Sequence, residues 1–258
     1  MQEFKNIRTT TVSRDDAAID RGLRSYMLGV YNLMAIGLVI TALSAYVIAS
    51  LATTTTPVGE DVLMLRNGLI LTDFGKAIYS GPLMFIIMFA PLIAVFVLNF
   101  KINSLSYSAA RLFFLVYAAL VGLSLSSIFL VYTNASIIQT FVITAAAFGC
   151  LSLYGYTTKS DLRPLGAFLI IGMVGLLLAI VVNLFMHSSG LQFVISIAGV
   201  LIFAGLTAYD TQKIKELYLE SDSTDTMGRK VVMGALNLYL DFVNMFLFIL
   251  QFLNSNRN

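Results

Sequence analysis

The sequence is poor in the residues that build metal centres, disulfides and nucleophilic triads. It has one cysteine, Cys150, and one histidine, His187, among 258 residues. A single cysteine cannot form an internal disulfide, and this pair of residues leaves almost no material for a zinc site or a histidine-based triad. The chain also lacks a glycine-rich phosphate loop, a nucleophile elbow and a metalloprotease motif. We therefore predict that the protein is not an enzyme and requires no cofactor.

Charge is scarce as well. Charged residues make up 12% of the chain, hydrophobic residues 58%, and the net charge is +2. Soluble domains carry about 25% charged residues, so this composition is typical of a protein whose partner is the lipid bilayer. The small net charge and the absence of a basic cluster argue against a nucleic-acid partner. The polar leader of about 24 residues carries both signs of charge, unlike a secretory signal.

Seven apolar stretches are long enough to cross a membrane, since about 20 residues at a rise of 1.5 Å cover roughly 30 Å of hydrocarbon. They are predicted at residues 26–51, 81–100, 112–132, 137–156, 165–186, 191–209 and 231–253. The polar segment between the first two shows little helical pattern. The prediction is an all-α, polytopic bundle of seven transmembrane helices. Residues 1–24 form a polar tail, and residues 25–255 form the transmembrane domain.

The distribution of basic residues predicts the orientation of the chain. Of the 16 Lys and Arg residues, 13 fall in the N-terminal leader or in the loops after spans two, four and six. The positive-inside rule then puts the N-terminus in the cytoplasm and the C-terminus outside, unless the last stretch is re-entrant. The opposite side carries the acidic residues Glu60, Asp61 and Asp73. They could attract external cations, but a solvated loop is the simpler interpretation.

The last apolar stretch contains one costly charge, Asp241. An aspartate near the middle of a span costs on the order of 3 kcal/mol on insertion scales. It should therefore face the protein interior or a wet cavity, and it is a functional residue by default. Asn237, Asn244 and Gln251 share its face at helical spacing, so the sequence predicts a polar stripe along this helix.

Asp210 is predicted to lie at the same depth as Asp241. The segment after span six continues in helical rhythm to about residue 220, and the turn that follows is centred near Asp225. Asp210 lies 15 residues before that centre, and Asp241 lies 16 residues after it. In a straight antiparallel hairpin, both lie roughly 23 Å from the turn. The two aspartates can therefore meet.

Two carboxylates in contact at low dielectric cannot both ionise cheaply, so we expect such a pair to share a proton near neutral pH. The pair can sense pH, and when both groups are ionised it attracts a hard cation such as Ca²⁺. For Asp210 alone, an interfacial ion pair is an equally good explanation. Lys101 and Arg111 lie on its side of the membrane and could reach it, although most basic residues there are expected to face lipid headgroups. Lys213 and Glu216 can pair at a spacing of three residues.

Three stretches of the chain resemble the Bax inhibitor 1 family, most closely its bacterial YccA-like branch. They are FGCLSLYGYTTKSDL, AYDTQKIKEL and LNLYLDFVNMF. With the span pattern, the resemblance covers residues 20–255. It implies a bundle whose last helix is central and wrapped by the other six. It also implies a pH-sensitive calcium leak with two sensor aspartates, which match Asp210 and Asp241. The family has an arginine near the end of span two, where this chain has Lys101, while Arg111 lies further on.

The favoured hypothesis is a pH-sensitive calcium leak in the bacterial inner membrane, with Ca²⁺ as the permeant or bound ion. The hypothesis assigns three sets of residues. Asp210 and Asp241 are the pH sensor, the ion path and the calcium ligands. Lys101 and Arg111 are the candidates for a latch, a basic residue that engages Asp210, and Asn237 and Asn244 form the polar stripe.

The alternative hypothesis is an interaction protein without transport activity. The resemblance associates the bacterial branch with the FtsH-type membrane protease, as substrate and modulator. The tail 1–24 would be the segment that the protease engages. Paired aspartates also occur in intramembrane aspartyl proteases. The GxGD signature of those enzymes is missing, since Asp210 sits in TAYD and Asp241 in LYLD.

Overall fold

The computed structural model describes the backbone of residues 2–55 and 69–255 and the side chains of residues 21–55 and 69–254. The acidic residues Glu60 and Asp61, and the side chains of the leader before Arg21, lie outside the described residues. The elements in chain order are α1 (Gln2–Ala52), β1 (Thr53–Thr54), β2 (Ile70–Leu71), α2 (Asp73–Ser80), α3 (Leu83–Lys101), α4 (Tyr107–Leu125), α5 (Ile128–Val131), α6 (Asn134–Thr157), α7 (Arg163–Met186), α8 (Ser189–Glu216) and α9 (Thr224–Ser255).

Seven helices of the described chain are long and apolar enough to cross a membrane, which confirms the predicted all-α bundle. They cover Arg21–Ala52, Leu83–Ser104, Tyr107–Val131, Asn134–Thr157, Arg163–Met186, Ser189–Glu216 and Thr224–Asn254. Most of them extend beyond the apolar stretches predicted from the sequence. A helix satisfies its own backbone hydrogen bonds, so it can continue into polar residues at the membrane boundary.

Hydroxyl side chains determine where three of these helices begin. Ser106, Thr133 and Ser188 precede α4, α6 and α8, and each accepts a hydrogen bond from the backbone N–H three residues further on. Each bond satisfies one of the amide groups that a helix start leaves unpaired. At the end of α7, His187 adopts a left-handed conformation with φ of 51°, which reverses the chain directly into α8.

The segment between the first two spans contains regular structure that its polar composition did not predict. β1 pairs with β2 in an antiparallel register. α2 begins after Thr72, whose hydroxyl group accepts a hydrogen bond from the backbone N–H of Gly75. In the first turn of α2, the side chain of Asp73 is 97% exposed and forms an ion pair of 3.5 Å with Lys76. Asp73 is therefore a solvated residue of a helix.

The last helix, α9, is the most buried of the spans. In its most apolar stretch, 67% of the residues are buried, against 6% to 39% in the other six spans. α9 packs against α1, α4, α6 and α8. The other two spans lie further out, since α7 packs chiefly on α8, and α3 on α4 and α2. The last helix is central, as the resemblance implied, but four spans and not six make its main contacts.

The hairpin that joins α8 to α9 differs from its prediction. α8 ends at Glu216, before the predicted residue 220, and α9 already begins at Thr224, so Asp225 lies in its first turn and not at the centre of a loop. The Nζ atom of Lys230 donates a hydrogen bond of 2.8 Å to the carbonyl oxygen of Leu217 and lies 2.6 Å from Asp222. The first turns of α9 therefore run past the end of α8, and Lys230 satisfies a carbonyl group that this end leaves unpaired.

Candidate functional site

The side chains of Asp210 on α8 and Asp241 on α9 meet in the structure. Their carboxyl groups lie within hydrogen-bonding reach of each other. Two ionised carboxylates only accept hydrogen bonds, so this contact needs a proton between them. The structure thus brings the predicted pair together, although the turn between the helices lies elsewhere than expected.

Asp241 is enclosed by protein. Its exposed fraction is 4%, while Asp210 is half-buried. No N–H or hydroxyl group of the described residues donates a hydrogen bond to Oδ2 of Asp241. A buried, ionised carboxylate without donors is strongly destabilising. The carboxyl group of Asp241 is therefore stable in this interior only with a proton or with a bound cation.

The carboxyl pair lines a cavity of about 410 Å³ between α7, α8 and α9, which we name the acidic cavity. Asn237 and Asn244 line it too, as the predicted polar stripe requires. The Nδ2 atom of Asn244 donates a hydrogen bond of 2.8 Å to the carbonyl oxygen of Leu240, which leaves the amide oxygen available as an acceptor at the cavity. Gln251, the last residue of the stripe, does not line it.

Gln251 belongs to a separate network near the start of α8. The Nε2 atom of Gln192 donates a hydrogen bond of 2.8 Å to Oε1 of Gln251. The Oε1 atom of Gln192 accepts a bond of 3.0 Å from Nδ2 of Asn183, which joins α7 to the other two helices. These bonds fasten α7, α8 and α9 to one another beyond the acidic cavity.

The α7 wall of the acidic cavity is apolar throughout. Its residues are Ile170, Met173, Leu176, Leu177 and Ile180. Ile170 is 45% exposed and Leu177 is 56% exposed, and both lie on a candidate membrane span. The cavity thus has a carboxyl pair on one side and, on the other, a hydrocarbon wall whose edge faces the lipid.

The basic residue whose charge acts on Asp210 is Lys213. It lies three residues further along α8, and its Nζ atom is 5.7 Å from the centre of the Tyr209 ring. Sequence reasoning paired Lys213 with Glu216 instead. In the structure Glu216 contacts Arg163, with 2.8 Å between Oε2 and the guanidinium nitrogen. The helical spacing of Lys213 from Asp210 was the signal that could have identified it.

The predicted latch is not formed. Both Lys101 and Arg111 are exposed, and among the side chains that the structure describes neither is paired with Asp210. The reason lies in the packing of α3, which contacts α2 and α4. Lys101, at the end of α3, is therefore held away from the helix that carries Asp210.

Gln212 is a site residue that sequence reasoning missed. It is buried on α8, two residues after Asp210. Its Oε1 atom accepts a hydrogen bond of 2.8 Å from the backbone N–H of Leu162, and its Nε2 atom donates one of 2.8 Å to the carbonyl oxygen of Ser160. The side chain of Gln212 thus fastens the loop between α6 and α7 to the end of α8.

The oxygen ligands around the carboxyl pair suit a hydrated cation more than a closed metal centre. Across the described residues, no three His, Cys, Asp or Glu side chains are grouped so that they could hold a metal ion. Ca²⁺ takes six to eight oxygen ligands. Asp210 and Asp241 can supply up to four carboxylate oxygens, and Asn237 and Asn244 can add two amide oxygens. Water would complete the shell of an ion held here.

Comparison with known proteins identifies the family. A sequence model described as "Inhibitor of apoptosis-promoting Bax1" matches residues 23–258. The inner membrane protein YbhL of Escherichia coli (strain K12) is 42% identical over 238 residues, which cover 92% of this chain and 94% of YbhL. An uncharacterized protein of Caulobacter vibrioides is 41% identical over 251 residues, 97% of this chain and 96% of that protein. An uncharacterized protein of Rickettsia prowazekii is 40% identical over 252 residues, 97% of this chain and 98% of that protein.

The matched region includes all seven candidate spans except the first two residues of the first span. The chain therefore belongs to the Bax inhibitor 1 family and is a multi-pass inner membrane protein.

Proposed function

We propose that the protein is a passive, pH-sensitive leak for cations, with Ca²⁺ as the principal ion. The observation that carries this proposal is the contact between Asp210 and Asp241 inside a cavity that also presents Asn237 and Asn244. An acidic pair at the depth of a membrane span is costly, and such residues mark ion and proton paths.

In this proposal, Asp241 is the buried sensor and plug, because its carboxyl group is enclosed on α9. Asp210 is its half-buried partner, which shares the proton and contacts the cation first. The asparagine amide oxygens replace part of the water that the ion loses, since hard cations prefer oxygen ligands. Lys213 lies at the edge of the cavity and opposes the entry of cations by its like charge.

The direction of the competition between protons and cations follows from charge. Protonation of the pair removes negative charge, so lowering the pH weakens the attraction for Ca²⁺. Raising the pH through the titration of the pair leaves two carboxylates in contact, which repel each other unless a cation lies between them. We therefore expect Ca²⁺ to bind more tightly as the pH rises and to displace the shared proton.

The proposed orientation places the N-terminus in the cytoplasm. It rests on the 13 of 16 Lys and Arg residues that fall on one side of the spans. A cysteine introduced into each loop and labelled with a membrane-impermeant reagent from either side tests it. Labelling of the loop after α6 only from outside would contradict the assignment.

Calcium flux into reconstituted vesicles tests the proposed function. The variants are Asp241→Asn and Asp210→Asn, and the matched control is Asp225→Asn, an exposed aspartate on the same helix as Asp241. We expect the two site variants to change the flux and lose its pH dependence, while the control keeps both. If the site variants conduct Ca²⁺ like the unmodified protein at every pH, the proposal fails.

The alternative proposal is an interaction protein that modulates, or is degraded by, a membrane protease of the FtsH type. The protease would engage the tail 1–24. The side chains of this tail that precede Arg21 lie outside the described residues. Deletion of residues 2–20 separates the two proposals. The leak requires that flux survives the deletion, whereas the interaction protein requires that co-purification with the protease and turnover by it are lost.

A further inference from the structure

The acidic cavity is larger and more apolar than a site for a bare ion needs. Its volume of about 410 Å³ lies in the range of small-molecule pockets. Such pockets are mostly apolar, with a few polar groups that fix the orientation of the ligand. A hydrated ion at the carboxyl pair leaves the aliphatic wall on α7 unused, because water makes no hydrogen bonds to it.

The two walls of the acidic cavity have different chemistry. The pair Asp210 and Asp241 lies on one wall, and no described donor reaches Oδ2 of Asp241. The wall on α7 offers Met173, Leu176 and Leu177, from a helix that packs chiefly on α8 and so leaves the cavity open at its lipid-facing edge. A ligand that fits both walls has a cationic N–H donor at one end and a hydrocarbon portion at the other.

We propose that the acidic cavity binds an amphipathic organic cation, whose ammonium group replaces the shared proton at the carboxyl pair and whose hydrocarbon chain lies along α7. The proposal rests on the proposed function in one respect, since both use Asp210 and Asp241 as the site for positive charge. It differs in the ligand, because a metal ion gains nothing from the wall of α7.

The charged and polar groups around the pair are consistent with one added positive charge. Besides the pair, α8 contributes Lys213 and the phenol of Tyr209, α9 contributes the neutral Asn237 and Asn244, and α7 contributes no titratable residue to the lining. Lys213 is exposed and its Nζ atom lies over the Tyr209 ring. Its side chain thus stands at the edge of the cavity and leaves the interior for the ligand.

Binding of short alkylammonium ions to the full-length protein in detergent tests the proposal by titration calorimetry. The probes are butylammonium, pentylammonium and hexylammonium, with hexanol as the uncharged probe and Ca²⁺ as the metal probe. We expect affinity to rise roughly fourfold with each methylene group that the wall buries. Hexanol should bind at least about tenfold more weakly, because it leaves the carboxyl pair without a cation.

Variants on each wall make the test specific. Asp241→Asn should abolish the preference for hexylammonium over hexanol. Leu177→Ala should reduce the affinity ratio of hexylammonium to butylammonium. Val174→Ala is the matched control, since Val174 is 51% exposed on the same helix, close to the 56% of Leu177, and does not line the cavity. Val174→Ala should leave that ratio unchanged.

The outcomes separate this inference from the proposed leak. Equal affinity for all chain lengths, or equal binding of hexanol and hexylammonium, overturns the inference even if Ca²⁺ flux still depends on the two aspartates. Chain-length-dependent binding that requires Asp241, in a protein whose Ca²⁺ flux ignores the aspartates, supports the inference and overturns the leak.

Discussion

Two cavities of nearly equal volume lie on different sides of α9 and have opposite chemistry. The acidic cavity, of about 410 Å³, takes Asn237, Asp241 and Asn244 from this helix. The second, which we name the apolar cavity, has about 430 Å³ and lies between α1, the α4–α5 break, α6 and α9. From α9 it takes Phe242, Val243 and Phe246.

The difference shows that the central helix separates two environments within one turn. The buried hydroxyl group that lines the apolar cavity, on Thr41, is already paired. The hydroxyl groups of Thr41 and Tyr239 lie 2.6 Å apart, and Thr41 also donates a hydrogen bond of 2.9 Å to the carbonyl oxygen of Ala118. At the acidic cavity, by contrast, Oδ2 of Asp241 has no donor among the described residues. An unpaired polar atom at such depth is where a ligand or a proton is needed.

The largest expected effect comes from a carboxylate placed in the apolar cavity. Val243→Asp puts a charge against the phenyl rings of Phe242 and Phe246, with no carboxyl partner. We expect it to destabilise the fold by roughly 3 kcal/mol, in contrast to the natural aspartate two residues earlier. Thermal unfolding in detergent measures the loss. Val243→Thr keeps the shape of the side chain, and its hydroxyl group can donate a hydrogen bond to the backbone carbonyl oxygen four residues earlier in the helix, so we expect a smaller loss than for Val243→Asp. Equal stability of the Asp variant and the unmodified protein would contradict the comparison.

The second prediction moves α8, which carries Asp210. A Cβ atom at Gly155 on α6 would collide with the backbone oxygen of Ala208, so Gly155→Ala must push α6 and α8 apart. We expect a destabilisation of about 1–3 kcal/mol and a lower Ca²⁺ flux. Gly149→Ala is the control on the same helix, because nothing lies within 4 Å of a Cβ atom there. Because Ala favours a helix more than Gly does, Gly149→Ala should keep or gain stability, and a loss as large as that of Gly155→Ala would contradict the role of this close approach.

Much of the fold could be predicted because hydrocarbon thickness imposes a length on each span. The seven spans and the burial of Asp241 in the protein interior follow from apolar length and from the cost of one buried charge. The contact of Asp210 with Asp241 was predicted from a turn centred at Asp225, although Asp225 lies inside α9. The predicted pairing is therefore correct although the predicted helix ends are not. α8 ends early, but α9 extends past the end of α8, and the two differences cancel in the relative height of the two aspartates.

The remaining features depend on packing that apolar length does not determine. α2 is too short and too polar to stand out, and its start depends on a cap at Thr72. The α7 wall of the acidic cavity consists of ordinary span residues, and only the packing of α7 against α8 determines which of them line the cavity. Likewise, Lys101 was predicted to reach Asp210 from the end of span two, but α3 packs on α2 and α4, away from Asp210. Such contacts have no periodicity in the sequence.

The third prediction loosens the loop between α6 and α7 where it contacts the end of α8. Gln212→Ala removes both hydrogen bonds that hold the loop at Ser160 and Leu162. The hydrogen bond from the backbone N–H group of Leu162 to Gln212 contributes about 1 kcal/mol. Without it, the Leu162 amide should exchange its hydrogen roughly fivefold faster. Hydrogen exchange followed by mass spectrometry measures this. The start of α6 near Thr133 is the internal reference, and faster exchange there as well would mean general destabilisation.

The smallest expected effect lies on the apolar side. Tyr239→Phe removes the buried hydroxyl group that contacts Thr41, while Thr41 keeps its bonds to the carbonyl oxygens of Gly37 and Ala118. We expect a loss of about 0.6–1 kcal/mol in thermal unfolding and unchanged Ca²⁺ flux. Tyr46→Phe, at an exposed tyrosine that lines the apolar cavity, should be neutral. A change in pH-dependent flux in Tyr239→Phe would mean that the two cavities are coupled through α9.

The most direct test of the central claim is proton release on cation binding. The purified protein, in weakly buffered detergent solution at neutral pH, receives Ca²⁺ while an indicator dye reports the pH. If Asp210 and Asp241 share a proton that a cation displaces, the unmodified protein releases protons and Asp241→Asn does not, while Asp225→Asn releases as many as the unmodified protein. Ca²⁺ binding without proton release, or equal release from Asp241→Asn, would contradict the account.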